Sequence, residues 1–413
     1  MSNPNKTPTL RFTGFTDPWE QRKLSDLADI VGGGTPDTNN PDYWDGDIDW
    51  YAPAEMEGQR YAVGSVRKIT ELGLQKSSAK MLPAHRTVLF TSRAGIGKMA
   101  ILKRPAATNQ GFQSLVLKDG SDPYFIYSMG DKIKDMAEGV ASGSTFLEIS
   151  GNMLGNLKVM APTIEEQKEI ASFYREIDDL ITLHQRKLEK LILIKKTLLE
   201  KMFPCEGSDI PEIRFSVFTD PWEQRKLLDC LTQPISDGPH ETPDLVEEGI
   251  PFISVDAIVD NKIDFERKRG YITEEYDLEC RKKYSPQRDD VYLVKSGSTV
   301  GKVAIVETDE RFNIWSPLAA MRTNKEILLP KYLYYYLQLD DIQDEVSAKS
   351  KGGTQPNLSM RILEKFVVRL PDIEEQSKVS SLLTRLDETV TLHQRKLEKL
   401  KTLKKSMLEK MFV

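Results

Sequence analysis

The ten residues TLHQRKLEKL at 182–191 occur again without a change at 391–400. Both copies lie inside longer segments, 162–203 and 371–412, which align without a gap and agree at more than half of their positions. Repetition on this scale determines the architecture of a chain. The 413 residues are therefore built from two related halves.

A second repeated pair opens each half. RFTGFTDPWEQRKL at 11–24 returns as RFSVFTDPWEQRKL at 214–227. The stretches of about 140 residues between the repeated segments agree only in outline, as in AGIGKMAIL (94–102) and GSTVGKVAIV (297–306). This uneven divergence indicates that the short segments do one job twice, whereas the long stretches use one fold to read two different things. Plain duplication followed by drift is the alternative, but drift gives no reason for sparing the short segments.

The repeated segments predict two long helices. Residues 170–203 contain neither proline nor glycine, and apolar residues recur there at alternating spacings of three and four, as in a heptad seam. A lone helix would expose this stripe to water, so the two copies are predicted to pack on each other. The predicted seam residues are Ile177, Ile181, His184, Leu188, Leu191, Leu386, Val390, His393, Leu397 and Leu400.

Charge predicts the direction of this helix pair. The first half of each segment is acidic and the second half is basic, so antiparallel packing brings opposite charges together and parallel packing does not. His184 and His393 occupy equivalent seam positions. Without further ligands at suitable spacing, they are interpreted as polar residues that fix the register rather than as metal ligands.

The long variable stretches predict β-rich mixed domains, because short apolar or alternating runs are separated by Gly, Pro and Asp. A helix is predicted late in each domain, at 123–139 and at 330–346, where tyrosines 332 and 334–336 are interpreted as core rather than as base-stacking groups. The predicted fold class is α+β, with two such domains in a pseudo-twofold arrangement, separated by an antiparallel coiled coil of two long helices. The predicted boundaries are 1–161 and 206–370 for the variable domains and 162–205 and 371–413 for the helices.

Loops at corresponding places in the two domains carry the candidate binding residues. GGGTPDT (32–38) and SDGPHETP (236–243) combine glycine, which lets a backbone approach a partner, with side chains that can pair with base edges. SRAGIGK (92–98) and KSGSTVGK (295–302) place basic residues near flexible backbone, which suits phosphate or guanine. Ordinary hairpin turns with solvated charges are the alternative. The candidate DNA-binding residues are Thr35, Ser92, Arg93, Lys98, Thr145, Asp237, His240, Lys295, Ser298, Lys302 and Thr354.

The apolar runs, the cysteines and the net charge limit the classes of protein to which the chain can belong. No run approaches the ~20 consecutive apolar residues of a membrane span, and the N-terminus lacks an apolar signal region. Three scattered cysteines without a CxxC pair favour a reducing cytoplasm and give no sign of a metal site. The net charge of −6 argues against extensive phosphate contact by the whole chain. Either positive charge is local, or a partner makes much of that contact.

The chain contains partial matches to three catalytic motifs, and each match lacks residues that the motif requires. GSTVGKV (297–303) has three residues before GK where a phosphate-binding loop has four, and valine follows instead of Ser or Thr. NPDY (40–43) lacks the second proline of amino methyltransferases, and PDIEEQ (371–376) begins a helix and lacks the other acidic and lysine residues of a nuclease site. We therefore expect no catalysis by this chain alone and no cofactor bound to it.

These residues resemble the specificity subunit of type I restriction-modification enzymes over nearly the whole chain. The resemblance rests on GGGTPDTNNPDYWDGDIDWYAPAEM (32–56), its counterpart SDGPHETP…GIPFISVDAI (236–258), the GKxAI element and the LHQRKLEKL helices that end in KMF. It implies that two target-recognition domains each read one half of a split double-stranded DNA site, while the helices space them and dock two methylation subunits. Those subunits bind S-adenosylmethionine and methylate adenine, and restriction-translocase subunits add ATP- and Mg-dependent translocation and cleavage of unmodified DNA.

Two other interpretations stay open at this point. One is a self-sufficient methyltransferase or nuclease, against which the incomplete motifs argue. The other is a coiled-coil adaptor that does not touch DNA, which leaves the paired variable domains without a purpose. In the restriction interpretation, helices of about 40 residues at ~1.5 Å per residue limit the distance between the two domains to about 60 Å. That corresponds to at most roughly 18 base pairs.

Overall fold

The chain forms two compact units, and each long helix is divided between them. One unit comprises residues 1–185 and 395–413, and the other comprises 186–394. The computed structural model describes residues 7–93, 95–141, 147–205, 207–351 and 355–412.

The elements of the first half are short apart from its last helix. Its strands are β1 (Glu20–Lys23), β2 (Ala28–Gly32), β3 (Trp44–Tyr51), β4 (Tyr61–Ala62), β5 (Arg67–Ile69), β6 (Thr87–Phe90), β7 (Met99–Leu102), β8 (Ala106–Thr108), β9 (Gln113–Leu117) and β10 (Lys158–Ala161). Its helices are α1 (Leu24–Leu27), α2 (Glu71–Gln75), α3 (Pro123–Ser128), α4 (Gly130–Val140), α5 (Gly151–Gly155) and α6 (Ile164–Lys201).

The second half follows a similar order, with one strand more and one α-helix fewer among its described residues. Its strands are β11 (Glu223–Lys226), β12 (Ser236–Asp237), β13 (Ile250–Ile253), β14 (Ile258–Val259), β15 (Lys262–Ile263), β16 (Gly270–Ile272), β17 (Val291–Val294), β18 (Val303–Ile305), β19 (Asn313–Ile314), β20 (Leu318–Met321) and β21 (Val367–Leu370). Its helices are α7 (Glu274–Arg281), α8 (Pro330–Tyr336), α9 (Asp340–Ser350), α10 (Met360–Leu363) and α11 (Ile373–Met411).

The two variable domains share most of their sheet topology, and the main sheet of the first has one additional edge strand, β4. The main sheet has the strand order β2-β9-β6-β7-β4 in the first and β12-β20-β17-β18 in the second. A second sheet has the order β5-β3-β8 or β16-β13-β19, and its central strand pairs antiparallel on one side and parallel on the other in both domains. Strands β6, β7, β17 and β20 are buried along their whole length, which explains their continuous apolar sequence.

A two-stranded ribbon closes each variable domain. Strand β1 pairs with β10 so that Lys23 lies opposite Lys158, and β11 pairs with β21 so that Lys226 lies opposite Val367. The variable stretch therefore leaves and returns at adjacent backbone positions. This arrangement lets residues 24–157 diverge without disturbing the repeated segments.

A buried ion pair fastens each opening segment to the following long helix. Arg11 meets Glu166 at 2.6 Å, and Arg214 meets Glu375 at 2.8 Å. Both glutamates are buried, and hydrogen bonding to them raises the pKa of each arginine. The two pairs occupy equivalent positions of the repeat, so the same anchor is built twice.

The long helices run antiparallel, as predicted. Within the first unit Lys404 Nζ lies 2.7 Å from Asp178, so the end of α11 meets the first half of α6. Within the second unit Lys195 Nζ lies 2.6 Å from Asp387, so the end of α6 meets the first half of α11. The repeat aligns Asp178 with Asp387 and Lys195 with Lys404, so these ion pairs are two copies of one contact.

A tyrosine hydroxyl completes each of these contacts. Tyr124 donates to Asp178 and Tyr335 donates to Asp387, both at 2.8 Å. Burial, reinforced by the aspartate charge, raises the pKa of both tyrosines, so the hydroxyls stay protonated as donors. The variable domains are thereby bonded to the helix pair.

The helices predicted late in each variable domain are each broken in two. The first is interrupted at Met129 before Gly130, and the second between Tyr336 and Asp340. In the second case the Gln343 side chain donates to the backbone carbonyl of Leu337, which a continuous helix would bond internally, and also to that of Gly301 in the neighbouring loop. The tyrosines at 332 and 334–336 are buried, as predicted.

The predicted seam positions avoid solvent. Ile177, His393 and Leu397 are buried, and the remaining seven are half-buried, whereas Leu183 and Leu392 beside them are 56% and 50% exposed. In the described part of the chain, no helix is both long enough and apolar enough to cross a membrane.

Candidate nucleic-acid interface

Three loops meet at one end of the main sheet of the first domain. We call residues 32–38, 91–93, 95–98 and 108–112 loop cluster 1. The backbone N–H of Gly34 donates to the carbonyl of Thr108, and that of Ser92 donates to the carbonyl of Gly111, both at 2.8 Å. The sheet therefore brings the two predicted loops together through a third one.

The second domain builds the same arrangement. Loop cluster 2 comprises residues 237–243, 294–302 and 314–317. Ser316 donates its backbone N–H to Pro239 at 3.2 Å, and Lys295 donates to Pro317 at 2.8 Å.

Strand register and backbone hydrogen bonds show which residues of the two clusters occupy equivalent positions. Ser92 and Lys295 each accept a bond from a returning segment, from Ile149 and Leu358 respectively. Strand register and these bonds align four pairs: Gly32 with Asp237, Thr35 with His240, Ser92 with Lys295, and Lys98 with Lys302.

Glycine in these loops serves internal packing. A Cβ on Gly33 would lie 1.9 Å from the Asn109 carbonyl oxygen, and one on Gly238 would lie 1.8 Å from that of Ile314. No side chain fits at either position. The interpretation that these glycines let the backbone approach a partner is wrong for Gly33 and Gly238, because the backbone they approach belongs to their own domain.

Cluster 1 carries mostly uncharged side chains. Half-buried Thr35 is hydrogen-bonded to the exposed Gln110 side chain. The hydroxyl of Ser92 is fully buried and has no hydrogen-bond partner within the part of the chain that the structure describes. Arg93 is half-buried beside Gly111, and Lys98 forms a 3.1 Å ion pair with Glu57.

Cluster 2 is organised around a buried carboxylate. Asp237 has no exposed surface, and Lys295 and His240 approach its Oδ2 at 3.2 and 3.3 Å. Lys283, which follows α7, forms an ion pair with Oδ1 and also donates to the carbonyl of Gly238 at 3.2 Å. Asp237 therefore holds three basic side chains and is itself closed to a partner.

The remaining candidates lie around these groups. Ser298 is exposed, and exposed Lys302 donates to the Ile258 carbonyl at 3.2 Å. Thr145 and Thr354 lie outside the described residues.

The third loop of each cluster, at 108–112 and at 314–317, was not predicted from the sequence. Exposed Gln110 and half-buried Trp315 occupy that loop, and the Arg269 guanidinium lies 4.0 Å from the Trp315 ring centroid. Lys283 was missed as well. These loops carry no shared motif, so only their place before β9 and β20 could have indicated them. No group of three or more potential metal ligands occurs among the described residues.

Comparison with known proteins gives a consistent result. The family model described as the type I restriction modification DNA specificity domain matches residues 16–193 and 221–402. A type I restriction enzyme MjaIX specificity subunit from Methanocaldococcus jannaschii is 29% identical over 411 residues, which cover 95% of this chain and 92% of that protein. The EcoR124I/EcoR124II specificity subunit from Escherichia coli is 28% identical over 167 residues, or 39% of this chain and 41% of that one.

A solved structure shares the fold. The S subunit of a type I restriction-modification system from M. genitalium aligns with a TM-score of 0.64 at 16% sequence identity, covering 98% of this chain and 99% of that one.

Proposed function

The chain belongs to the family of type I restriction-modification DNA specificity subunits, and we propose that each of its two domains reads one half of a split double-stranded DNA target. The observation that carries this proposal is the pair of loop clusters. The bond from the Ser92 N–H to the Gly111 carbonyl recurs as the bond from the Lys295 N–H to the Pro317 carbonyl, whereas the side chains at three of the four aligned positions differ in chemical type. One scaffold with two sets of side chains suits two different half-sites.

One of the four aligned positions is the same in both clusters and three differ, which suits two kinds of DNA contact. Phosphate contacts position a protein and carry no sequence information, so two domains can share them; base contacts specify and must differ. Lys98 and Lys302 are alike in residue type and in place, directly after a glycine with positive φ. We assign them to phosphates, and we assign the differing positions to base edges.

A partner present in two copies would explain the identical exposed segments. The strand EQRK is exposed throughout at 20–23 and at 223–226, and each copy carries the same internal Glu–Arg ion pair. Leu183 and Leu392 are exposed and identical as well. Packing within the domain does not demand identity at exposed positions. We assign these surfaces to two methylation subunits.

The partners would supply the chemistry. In this proposal the methylation subunits bind S-adenosylmethionine and methylate adenine, and restriction-translocase subunits use ATP and Mg to cleave unmodified DNA. Because the partners would also contact the duplex, the net charge of −6 on this chain is compatible with DNA binding. This chain would contribute base reading and the spacing of the two half-sites.

A domain exchange tests the proposal. Residues 24–157 are replaced by the corresponding stretch of another specificity subunit, with Lys23 and Lys158 as the paired boundary. Methylated adenines are then mapped across the genome by single-molecule sequencing, with the unexchanged gene and a gene deletion as controls. The expected result is a target in which one half-site changes and the other half-site stays the same.

Two outcomes would contradict the proposal. A change in both half-sites would show that the domains do not read separately. An unchanged target would show that residues 24–157 do not determine the sequence that is read.

A further inference from the structure

Cluster 2 differs from cluster 1 at the three aligned positions where a base reader is expected to differ. Gly32, Thr35 and Ser92 are uncharged, and their counterparts Asp237, His240 and Lys295 can all carry charge. The two clusters therefore offer different chemistry to DNA at the same place on the same scaffold.

The basic side chains around the buried Asp237 carboxylate make the surface of cluster 2 rich in hydrogen-bond donors. Lys295 is only 10% exposed in its side chain, so its charge is used mainly to neutralise Asp237. Lys283 and His240 also approach Asp237, but their side chains are 49% and 69% exposed. Two lysines against one aspartate leave an excess positive charge on the exposed side. Lysine has only donors, so this surface favours a group that has only acceptors.

Guanine presents such a group in the major groove. Its N7 and O6 are both acceptors, whereas adenine, thymine and cytosine each present a different pattern there. A phosphate is also rich in acceptors, but it is common to every sequence. A phosphate-binding group would be expected in both clusters, as Lys98 and Lys302 are, and the cluster around Asp237 exists in one domain only.

We propose that His240 and Lys283, held by Asp237 and backed by Lys295, contact a guanine in the half-site that the second domain reads. This inference rests on the proposed function and identifies the base class at one of its two sites. Lys283 supplies the main donor, since two of its three N–H groups point to Asp237 and Gly238 and the third is left for the base. Asp237 and Lys295 are positioning residues.

The test uses the chain assembled with its methylation subunits and the target defined by methylation mapping. Each guanine of the second half-site is replaced in turn by 7-deazaguanine, which lacks the N7 acceptor, and the Kd of each duplex is measured. One replacement is expected to weaken binding by the unmodified complex roughly tenfold. The same replacement is expected to have little effect on Lys283→Met, because methionine has no N–H donor and the variant has already lost that contact.

Two other lysines serve as controls, and a His240 variant tests the second proposed contact. Lys282→Gln removes a side chain that is 70% exposed and paired with Glu279, and it should leave the sensitivity to 7-deazaguanine unchanged. Lys302→Gln should weaken binding to every duplex alike and lower the salt dependence, as loss of a phosphate contact does. His240→Ala should reduce the sensitivity to 7-deazaguanine without affecting the first half-site.

The outcomes distinguish the inference from the function on which it rests. A second half-site without guanine on either strand, or a 7-deazaguanine effect that persists in Lys283→Met, would overturn the inference and leave two-domain reading intact. If Lys283→Met weakens binding uniformly and lowers the salt dependence, the cluster binds phosphate and the inference is wrong. Absence of any sequence-specific binding by the unmodified complex would contradict the proposed function itself.

Discussion

At the scale of single residues, two buried ion pairs of the molecule are matched copies of each other. Arg11 with Glu166, and Arg214 with Glu375, fasten each opening segment to its helix. The arginines and glutamates were visible in the repeated sequence, but their pairing was not, because the partners are more than 150 residues apart. Which side chains around the loop clusters are buried was equally hidden. Asp237 appeared available to DNA from sequence, and the fold closes it off.

Removing one partner of the first ion pair should be costly. Arg11→Ala leaves the buried Glu166 carboxylate without its cation, which is expected to destabilise the first unit by about 3–5 kcal/mol. Amide exchange in β1 and β10 measures this loss locally. The matched control is Arg22→Ala, because Arg22 pairs with Glu20 on the surface and should contribute only about 0–1 kcal/mol. Equal effects of the two variants would refute the anchoring role of Arg11.

At the scale of elements, the periodic helices were predictable and the loop contacts were not. Heptad spacing and charge indicated two antiparallel helices, and their observed extents, Ile164–Lys201 and Ile373–Met411, begin before the predicted seam. The helices at 123–139 and 330–346 were predicted as continuous because their apolar pattern continues, yet side-chain bonds such as those of Gln343 favour a break. The loops at 108–112 and 314–317 have no periodicity or shared motif, so only the sheet register reveals their role.

The antiparallel arrangement predicts a specific charge exchange. Lys404→Glu places a glutamate against the half-buried Asp178 and should destabilise the first unit by about 1–2 kcal/mol, between the values for exposed and buried pairs. Adding Asp178→Lys should restore part of that loss, because the reversed charges attract again while Tyr124 loses its carboxylate acceptor, as measured by urea denaturation of both variants.

Lys405→Glu changes the same charge at the next, exposed position and should have little effect. If the double variant is no more stable than Lys404→Glu alone, the two side chains do not form the contact that defines the direction of the helices.

At the scale of the whole molecule, two domains of one topology are joined by helices that are themselves repeated. The duplication was evident from sequence, and it gave the fold class and the family resemblance. The half-site bases could not be predicted, because they depend on which side chains reach the surface of each loop cluster. We propose that the two helices set the distance between two separate readers of DNA.

The most direct measurement of that claim is the spacer length of the methylated target after a heptad is inserted into both helices. The insertions are made at equivalent positions, after Gln185 and after Gln394, so that the seam continues in register. Seven residues add about 10 Å to the helix pair, so the non-specific spacer is expected to lengthen by at most about three base pairs. Both half-sites should stay the same. A spacer of unchanged length, or a change in either half-site, would contradict the account.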